Sequence, residues 1–317
     1  MKALVMERSL RLTELERPQP DEGEALVRVL RAGICNTDIE IVRGYMGFEG
    51  VLGHEFVGVV EQCADARWLN KRVVAEINVA CGKCRFCTRG LARHCLNRTV
   101  LGIQGRSGVF AEHVAIPRAN LIEVPPAISD VEAVFIEPLA ASVEILEQVH
   151  IGPEDRVVII GDGKLSALIA QVLRLTGCAL IVVGKHQAKL GLFSQIGIPT
   201  ALRNNLPKRS YSVVVEASGS PSGLELALHL VEPRGTVILK STYNERPAID
   251  VSRIVVDEIT LVGSRCGPFP AAIRLLQQKL VEVAPFVTRT FPFSEALEAF
   301  AFAQEEQAFK VLLDMSG

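Results

Sequence analysis

The first 127 residues alternate between apolar and polar positions with a period near two. Three turn-forming stretches separate the alternating segments: RPQPDEGE, RGYMGFEG and GIQGRSG. Alternation of this kind is typical of β-strands that have one buried face. The pattern therefore predicts a β-rich, barrel-like domain over residues 1–127.

The pattern changes from residue 128 on, where apolar runs alternate with amphipathic stretches. DRVVII, ALIVVG, YSVVVEAS and RGTVILK read as buried strands, whereas DVEAVFIEPLAASVEILEQV and KLSALIAQVLRLTG each read as one helix. Strands that alternate with helices form parallel sheets covered on both faces. We expect an α/β domain with a doubly wound parallel sheet over residues 128–281. Residues 282–317 show a strand, a helix and a strand, and are expected to complete the first domain.

Length and charge narrow the classes of function. A chain of 317 residues with 49% hydrophobic residues is too long for one simple core. The formal net charge of −2 is spread along the sequence, which argues against nucleic acid or an anionic membrane as a partner. Charge comes too early in MKALVMERSL for a secretory signal, and no apolar run reaches the about 18 residues of a membrane span. We therefore expect a cytoplasmic protein of two globular domains.

Half of the eight cysteines lie in one short stretch, CGKCRFCTRGLARHC. In a reducing compartment such a cluster is more typical of a metal site than of disulfides. Zinc prefers four ligands in a tetrahedron, and short links bring thiolates together. A redox-active CxxC pair or chance clustering is the alternative. The stretch predicts a closed, structural zinc site with four ligands, Cys81, Cys84, Cys87 and Cys95.

Polar residues in apolar surroundings form a second candidate metal set. Cys35 lies in AGICNTDIEI, His54 and Glu55 interrupt the strand pattern of VLGHEFVGVV, and Glu137 stands in AVFIEPLAAS. Each of them alone is ambiguous, because a buried polar residue with a partner is common in protein cores. Together, a thiolate, an imidazole and a carboxylate are the donors of a catalytic zinc ion that keeps one position open.

A glycine-rich turn in VVIIGDGKLS is the candidate cofactor site. Gly161 and Gly163 follow a strand and precede a helix, which is the context of a dinucleotide-binding fingerprint. The first glycine permits the tight turn, and the second lets the backbone approach a pyrophosphate at the helix N-terminus. Ser166 replaces the third glycine and is nearly as small. The predicted contact residues are Gly161, Asp162, Gly163, Lys164 and Leu165.

Seven motifs resemble, in their order, those of the zinc-dependent medium-chain dehydrogenases and reductases, the alcohol dehydrogenase-like family. They are AGICNTDIEI, GHEFVGVV, the four-cysteine stretch, EPLAAS, the glycine-rich turn, VVVEASGSP and RGTVILKS. The resemblance spans the chain and implies a GroES-like catalytic domain and a Rossmann cofactor domain. It implies Cys35 and His54 as catalytic zinc ligands, with Glu55 or Glu137 completing the shell. Because Glu137 stands where liver-type enzymes have a cysteine, the chain is most similar to the polyol, glucose and threonine dehydrogenase branch.

The same resemblance implies a reaction and further roles. The enzyme would carry two zinc ions per chain and transfer a hydride between a small alcohol or polyol, or its carbonyl counterpart, and a nicotinamide cofactor. Thr37 would relay the proton of the substrate, and Asp38 would hold the ring of His54. The stretch NTDIE also reads as the start of a helix, where Thr37 and Asp38 would act as caps. At Glu40 the family often has a histidine that completes proton release to solvent, and the Glu40 carboxylate is a candidate for the same role.

The end of the next strand, in IVVGKHQAKL, bears on the choice of cofactor. NAD enzymes of this fold commonly end this strand with an acidic residue that binds the ribose hydroxyls, but the sequence has Gly184. A glycine leaves room, and Lys185, His186 and Lys189 would attract the 2′-phosphate of NADP. We predict NADP, with NAD as the alternative, although Lys185 could also be a solvated loop residue. The resemblance adds two cofactor contacts from VVVEASGSP, Ala217 and Ser218.

The resemblance also bears on assembly and on the substrate cleft. ITLVGSRCG is similar to the edge strand through which family members pair their sheets, which implies a homodimer or homotetramer. Tyr45, Phe48 and Phe110 are candidates for lining the substrate cleft, with at least one of them expected in the core. A zinc-free quinone or enoyl reductase and a non-catalytic nucleotide-binding protein are the alternative functions. The candidate zinc ligands argue against both.

Overall fold

The computed structural model describes residues 1–203, 206–242 and 247–316 and divides into two compact units. The first unit comprises Met1–Glu137, Ala272–Lys279 and Val287–Gly317. The second comprises Pro138–Ala271 and Leu280–Phe286. Among the described helices, none is both long and apolar enough to cross a membrane.

The strands and helices of both units are numbered here in chain order. The strands are β1 (Lys2–Met6), β2 (Leu10–Glu14), β3 (Glu24–Gly33), β4 (Gly50–Val51), β5 (Glu55–Cys63), β6 (Arg72–Ala75), β7 (Asn78–Val79), β8 (Thr99–Leu101), β9 (Gly105–Arg106), β10 (His113–Pro117), β11 (Leu121–Glu123), β12 (Arg156–Ile160), β13 (Ala179–Gly184), β14 (Thr200–Leu202), β15 (Tyr211–Glu216), β16 (Val231–Leu239), β17 (Thr260–Gly263), β18 (Val287–Pro292) and β19 (Lys310–Asp314). The helices are α1 (Asn36–Val42), α2 (Asp130–Val134), α3 (Ile136–Gln148), α4 (Lys164–Arg174), α5 (Gln187–Gln195), α6 (Pro221–Leu230), α7 (Val251–Val256), α8 (Phe269–Gln277) and α9 (Ala296–Phe302).

The first unit is built on a seven-stranded sheet. Its order is β11-β6-β5-β3-β19-β18, and β10 also pairs with β3. Along one edge, the first half of the long strand β3 pairs with β10 and its last three residues pair with β19. Along its other edge, β3 pairs with β5. Two smaller sheets, β2-β1-β4 and β7-β8-β9, complete the unit. The β-rich domain predicted from the period-two alternation is confirmed.

The stretch 130–149 forms two helices, whereas its apolar pattern predicts one. The break falls at Phe135, and Pro138 lies in the first turn of α3, where its missing N–H leaves no intrahelical bond unmade. Ala133 and Val134 are buried on α2, which packs against β3 and β5. The first unit therefore extends to Glu137, past the boundary expected at residue 127.

The second unit contains a six-stranded sheet in the order β14-β13-β12-β15-β16-β17, and all of its pairings are parallel. Successive residues of the central strand, Val157, Val158 and Ile159, are all fully buried, as expected for a sheet covered on both faces. The predicted Rossmann-type sheet is confirmed. Because the strands are parallel, the carboxyl ends of β12, β13 and β15 meet at one edge, where ligands bind in such sheets.

Candidate active site

Cys35 stands where the central strand of the first unit leads into a helix. β3 ends at Gly33, and the extended backbone of Cys35 (φ −92°, ψ 159°) makes it the N-cap of α1. Its backbone N–H donates to Oδ2 of Asp38 at 2.8 Å. The Cys35 Sγ lies 3.7 Å from Oγ1 of Thr37 in the first turn. The start of the helix therefore holds a thiol and a hydroxyl side by side.

His54 faces the same helix start. Its Nδ1 lies 3.3 Å from Oδ1 of Asp38, and both side chains are buried. Burial by itself lowers the pKa of His54, but the Asp38 carboxylate and the Cys35 thiol outweigh it and raise that pKa well above its usual range. Asp38 therefore bonds the helix cap with one carboxylate oxygen and faces the His54 ring with the other.

Three of the predicted ligands come together in the first unit. The ligand atoms of Cys35, His54 and Glu55 lie within 4.8 Å of one another. His54 directly precedes β5, and Glu55 is the first residue of that strand. The pairing of β5 with β3 sets Glu55 opposite Gly33, two residues before the cysteine. A thiolate, an imidazole and a carboxylate at this spacing fit zinc, which takes three protein ligands and one exchangeable position at catalytic sites.

A buried lysine that the sequence analysis missed lies against this cluster. The ammonium of Lys310, the first residue of β19, forms an ion pair with Oε2 of Glu55, and both side chains are only 1% exposed. The Lys310 Nζ also lies 5.4 Å from the centre of the Phe135 ring. Gly33 leaves space for the pair, because a Cβ there would lie 2.8 Å from the Glu55 carboxylate. A lysine at the head of the apolar strand KVLLD was the signal in the sequence.

Glu137 lies in the first turn of α3 and is not in the ligand cluster found among the described residues. Burial raises its pKa to about 7, and the neighbouring carboxylates of Glu55 and Glu76 act in the same direction while His54 opposes them. The two candidate carboxylates therefore differ: Glu55 is among the clustered ligand atoms, and Glu137 is within electrostatic reach of them.

Other predicted residues of the first unit make different contacts. Glu40 of α1 forms an ion pair at 3.0 Å with Arg43, the residue that caps the C-terminus of the helix. Phe110 is fully buried and packs edge-on against Phe300, with ring centres 5.7 Å apart, so it is a core residue. Phe48 lines a groove of about 490 Å³.

The four-cysteine stretch forms the second predicted cluster. The sulfur atoms of Cys81, Cys84, Cys87 and Cys95 all lie within 4.8 Å of one another. The Cys84 Sγ is 3.5 Å from Sγ of Cys87 and 3.8 Å from Sγ of Cys95. Hydrogen bonds from the backbone N–H groups of Cys87 and Leu96 lower the pKa of Cys84 to about 6. Four converging sulfurs with backbone donors around them fit a closed zinc site.

In the second unit, the glycine-rich turn joins β12 to α4. Gly161 has a left-handed backbone (φ 126°), and a Cβ there would lie 2.5 Å from the carbonyl oxygen of Ala217, so no other residue fits. Gly163 is the N-cap of α4, and among the described residues no heavy atom beyond the glycine and its chain neighbours lies within 4 Å of the place that its Cβ would take. Open space at a helix N-terminus fits a pyrophosphate. Ser218, next to Ala217, donates its hydroxyl to Glu216 at 2.6 Å. The predicted contacts Lys164 and Leu165 are the first residues of α4.

Asp162 bridges this turn and the end of β13. Its Oδ2 accepts from the backbone N–H groups of Lys185 and His186, each at 2.8 Å, and lies 3.0 Å from Nδ1 of His186. Burial raises the pKa of Asp162, but these bonds outweigh it and lower that pKa, so the carboxylate is charged at neutral pH. The room expected beside Gly184 is filled, because a Cβ there would lie 2.4 Å from Oδ2 of Asp162. Lys185 is exposed, and Lys189 is half-buried on α5.

Comparison with known proteins identifies the family of the chain. Residues 21–126 match the alcohol dehydrogenase GroES-like domain, and residues 165–278 match the zinc-binding dehydrogenase family. The L-threonine 3-dehydrogenase of Streptomyces avermitilis is 31% identical to the chain over 99% of both sequences. The chain is a zinc-type medium-chain dehydrogenase. As a member of the polyol and threonine branch, this dehydrogenase is an alcohol dehydrogenase-like oxidoreductase that uses zinc and a nicotinamide cofactor.

Solved structures extend the comparison of the dehydrogenase. The alcohol dehydrogenase RspB of Escherichia coli CFT073, complexed with NADH, superposes with a TM-score of 0.92 at 28% identity over 99% of both chains. A zinc-binding dehydrogenase of Sinorhizobium meliloti 1021, bound to NADP, has a TM-score of 0.90 at 26% identity, over 99% of this chain and 98% of its own. The predicted family is confirmed.

Proposed function

We propose that the dehydrogenase acts on the hydroxyl of a small polyol or hydroxy amino acid, or on the matching carbonyl, at the cluster of Cys35, His54 and Glu55. The cluster carries this proposal, because the ligand atoms of these three residues lie within 4.8 Å of one another. When bound, zinc polarises the oxygen of the substrate and the nicotinamide exchanges the hydride. The relative named as an L-threonine 3-dehydrogenase supports the substrate class.

The residues around the cluster have positioning and proton-transfer roles in this proposal. Asp38 is fixed by the backbone N–H of Cys35 at 2.8 Å and orients the ring of His54. The hydroxyl of Thr37 both donates and accepts, so it takes the proton of the substrate hydroxyl and passes it towards solvent. Lys310 balances the negative charge of Glu55 in the buried pair.

We assign the two zinc ions to the two clusters. The catalytic ion takes Cys35, His54 and Glu55 as its protein ligands, and Glu137 stays a neighbouring carboxylate. Glu55 is preferred because its oxygen is clustered with the thiol and the imidazole. The structural ion takes four thiolates, Cys81, Cys84, Cys87 and Cys95.

The second unit supplies the cofactor site of this proposal. The N-terminus of α4 would hold the pyrophosphate, and the end of β13, with Lys185, would hold the ribose of the adenosine. The exposed ammonium of Lys185 favours the 2′-phosphate of NADP, and NAD is bound at the same site. We further propose that the enzyme is cytoplasmic, since thiol clusters of this kind persist in a reducing compartment. It forms a homodimer or homotetramer in this proposal.

Zinc content and turnover test these assignments together. The unsubstituted enzyme is expected to hold two zinc ions per chain and to oxidise at least one member of a panel of polyols and hydroxy amino acids with NAD or NADP. Cys35→Ala and Glu55→Gln each remove one metal ligand, so each is expected to lose one zinc ion and turnover while circular dichroism stays unchanged. Glu137→Gln is expected to retain both ions.

Cys63→Ala is the control, because Cys63 is a cysteine outside both clusters. It should keep two zinc ions and full activity. Normal turnover of Cys35→Ala would overturn the catalytic assignment. Loss of zinc from Glu137→Gln with retention in Glu55→Gln would exchange the roles of the two carboxylates.

A further inference from the structure

The carboxylate of Asp162 sits in an arrangement of donors that suits a bound anion. Two successive backbone N–H groups, those of Lys185 and His186, converge on Oδ2 at 2.8 Å, and Nδ1 of His186 lies 3.0 Å from the same atom. Successive N–H groups that point to one place form an anion-binding concavity. The dehydrogenase fills this concavity with a carboxylate of its own.

The position of this carboxylate is set by the missing side chain of Gly184. A Cβ on residue 184 would lie 2.4 Å from Oδ2, 2.5 Å from Cβ and 2.7 Å from Cγ of Asp162. The Asp162 side chain therefore occupies the place where a side chain at the end of β13 would begin. In dinucleotide-binding sheets, an acidic residue at this strand end accepts the ribose hydroxyls, and a cation there accommodates a 2′-phosphate.

The end of β13 thus has both a cation that favours NADP and a carboxylate that favours NAD. Lys185 brings an exposed positive charge to the strand end, whereas Asp162 brings a negative charge from the glycine-rich turn. A 2′-phosphate carries a charge of about −2, so a fixed carboxylate at this place disfavours NADP relative to NAD. In addition, the backbone donors of Lys185 and His186 that could bind the phosphate are already used by Asp162.

We propose that Asp162 is a specificity-determining residue for the cofactor. Its carboxylate comes from the glycine-rich turn and not from the end of β13. It maintains the binding of NAD and limits the preference for NADP that Lys185 creates. This inference rests on the proposed function only in requiring that the turn binds a nicotinamide dinucleotide.

Binding of both cofactors to the zinc-loaded enzyme tests this role. Asp162→Asn keeps an oxygen that can accept the backbone N–H groups but removes the charge. Isothermal titration calorimetry measures the ratio of the Kd for NAD to the Kd for NADP. This ratio is expected to rise by about tenfold or more in Asp162→Asn, the size of one charge interaction near a protein surface. The kcat/KM ratio should shift in the same direction.

Glu154→Gln is the matched control, since it removes one exposed carboxylate just before β12, at the opposite end of that strand from the turn. Its Kd ratio should stay at the value of the unsubstituted enzyme. An Asp162→Asn ratio that is unchanged, or shifted towards NAD, would overturn the proposal.

Moving the carboxylate provides a second, independent test. Moving it to residue 184 requires glycine at residue 162, because the Cβ of Asp162 lies only 2.5 Å from the place that a Cβ at residue 184 would take. Asp162→Gly alone should shift the ratio towards NADP, and Asp162→Gly with Gly184→Asp should return it towards NAD. Equal ratios for these two variants would contradict the role of the carboxylate. An enzyme that binds neither dinucleotide would instead overturn the proposed function itself.

Discussion

At the scale of single residues, the buried pair of Lys310 and Glu55 makes a contribution to stability that can be measured. Both side chains are 1% exposed, so in an enzyme without the catalytic zinc ion the removal of one partner leaves a buried charge without compensation. Loss of one member of such a pair typically costs about 3–5 kcal/mol. In the Cys35→Ala enzyme, which is expected to lack that ion, Lys310→Met should therefore lower the free energy of unfolding by about that amount in a urea titration.

An exposed ion pair of the same unit provides the comparison. Lys279 lies 2.7 Å from Glu132, and its side chain is 59% exposed. Lys279→Met makes the same chemical change at the surface, where it should cost at most about 1 kcal/mol. Equal losses for Lys279→Met and Lys310→Met would show that the Lys310 pair contributes no more than a surface contact.

At the scale of elements, the four-cysteine stretch has little regular structure of its own. Two short strands, β7 and β8, flank it, and Gly90 turns the chain with a left-handed backbone (φ 76°). The metal therefore has to supply much of the folding energy, and structural zinc sites bind with about 10–16 kcal/mol. Cys84→Ser is expected to lose one zinc ion and to lower Tm strongly, as measured by metal analysis and circular dichroism.

Cys178→Ser serves as the reference for this change, because Cys178 lies outside both clusters in the second unit. It should keep two zinc ions and a nearly unchanged Tm. A Cys84→Ser enzyme that retains both metal ions and full thermal stability would contradict a structural zinc site at this stretch.

At the scale of the whole molecule, the open edge of the parallel sheet bears on assembly. β17 is the last strand of that sheet, and α7, the helix before it in the chain, exposes apolar side chains: Val255 is 69% exposed and Val256 79%. An uncovered apolar edge favours pairing with another chain. We expect a dimer or tetramer by light scattering at micromolar concentration, and Leu261→Lys on β17 should shift it towards monomers by placing charge in the interface.

Leu175→Lys tests whether any exposed leucine would have this effect. Leu175 is 44% exposed at the end of α4, and Leu261 is 37% exposed, so the two substitutions are comparable. Leu175→Lys should leave the assembly intact. A monomeric unsubstituted enzyme, or an assembly that survives Leu261→Lys, would rule out this edge as the interface.

The sequence by itself determined the features that depend on short stretches of chain. Period-two alternation predicts a β-rich domain and continuous apolar runs predict a parallel sheet, because backbone geometry sets these periods locally. The four cysteines lie within fifteen residues, so their spacing alone predicts the cluster. Pro138 shows the limit of such patterns: the apolar period runs through residues 130–149, yet the chain forms two helices there.

Only the tertiary structure decided which distant groups meet. Lys310 reaches Glu55 from 255 residues away because β3 brings β19 and β5 to its two sides. The same folding sets Glu55, and not Glu137, beside the thiol and imidazole. Asp162 fills the space at Gly184, where the sequence alone predicts room. Strand order and register bring these groups together, and neither is encoded in the local pattern of apolar and polar residues.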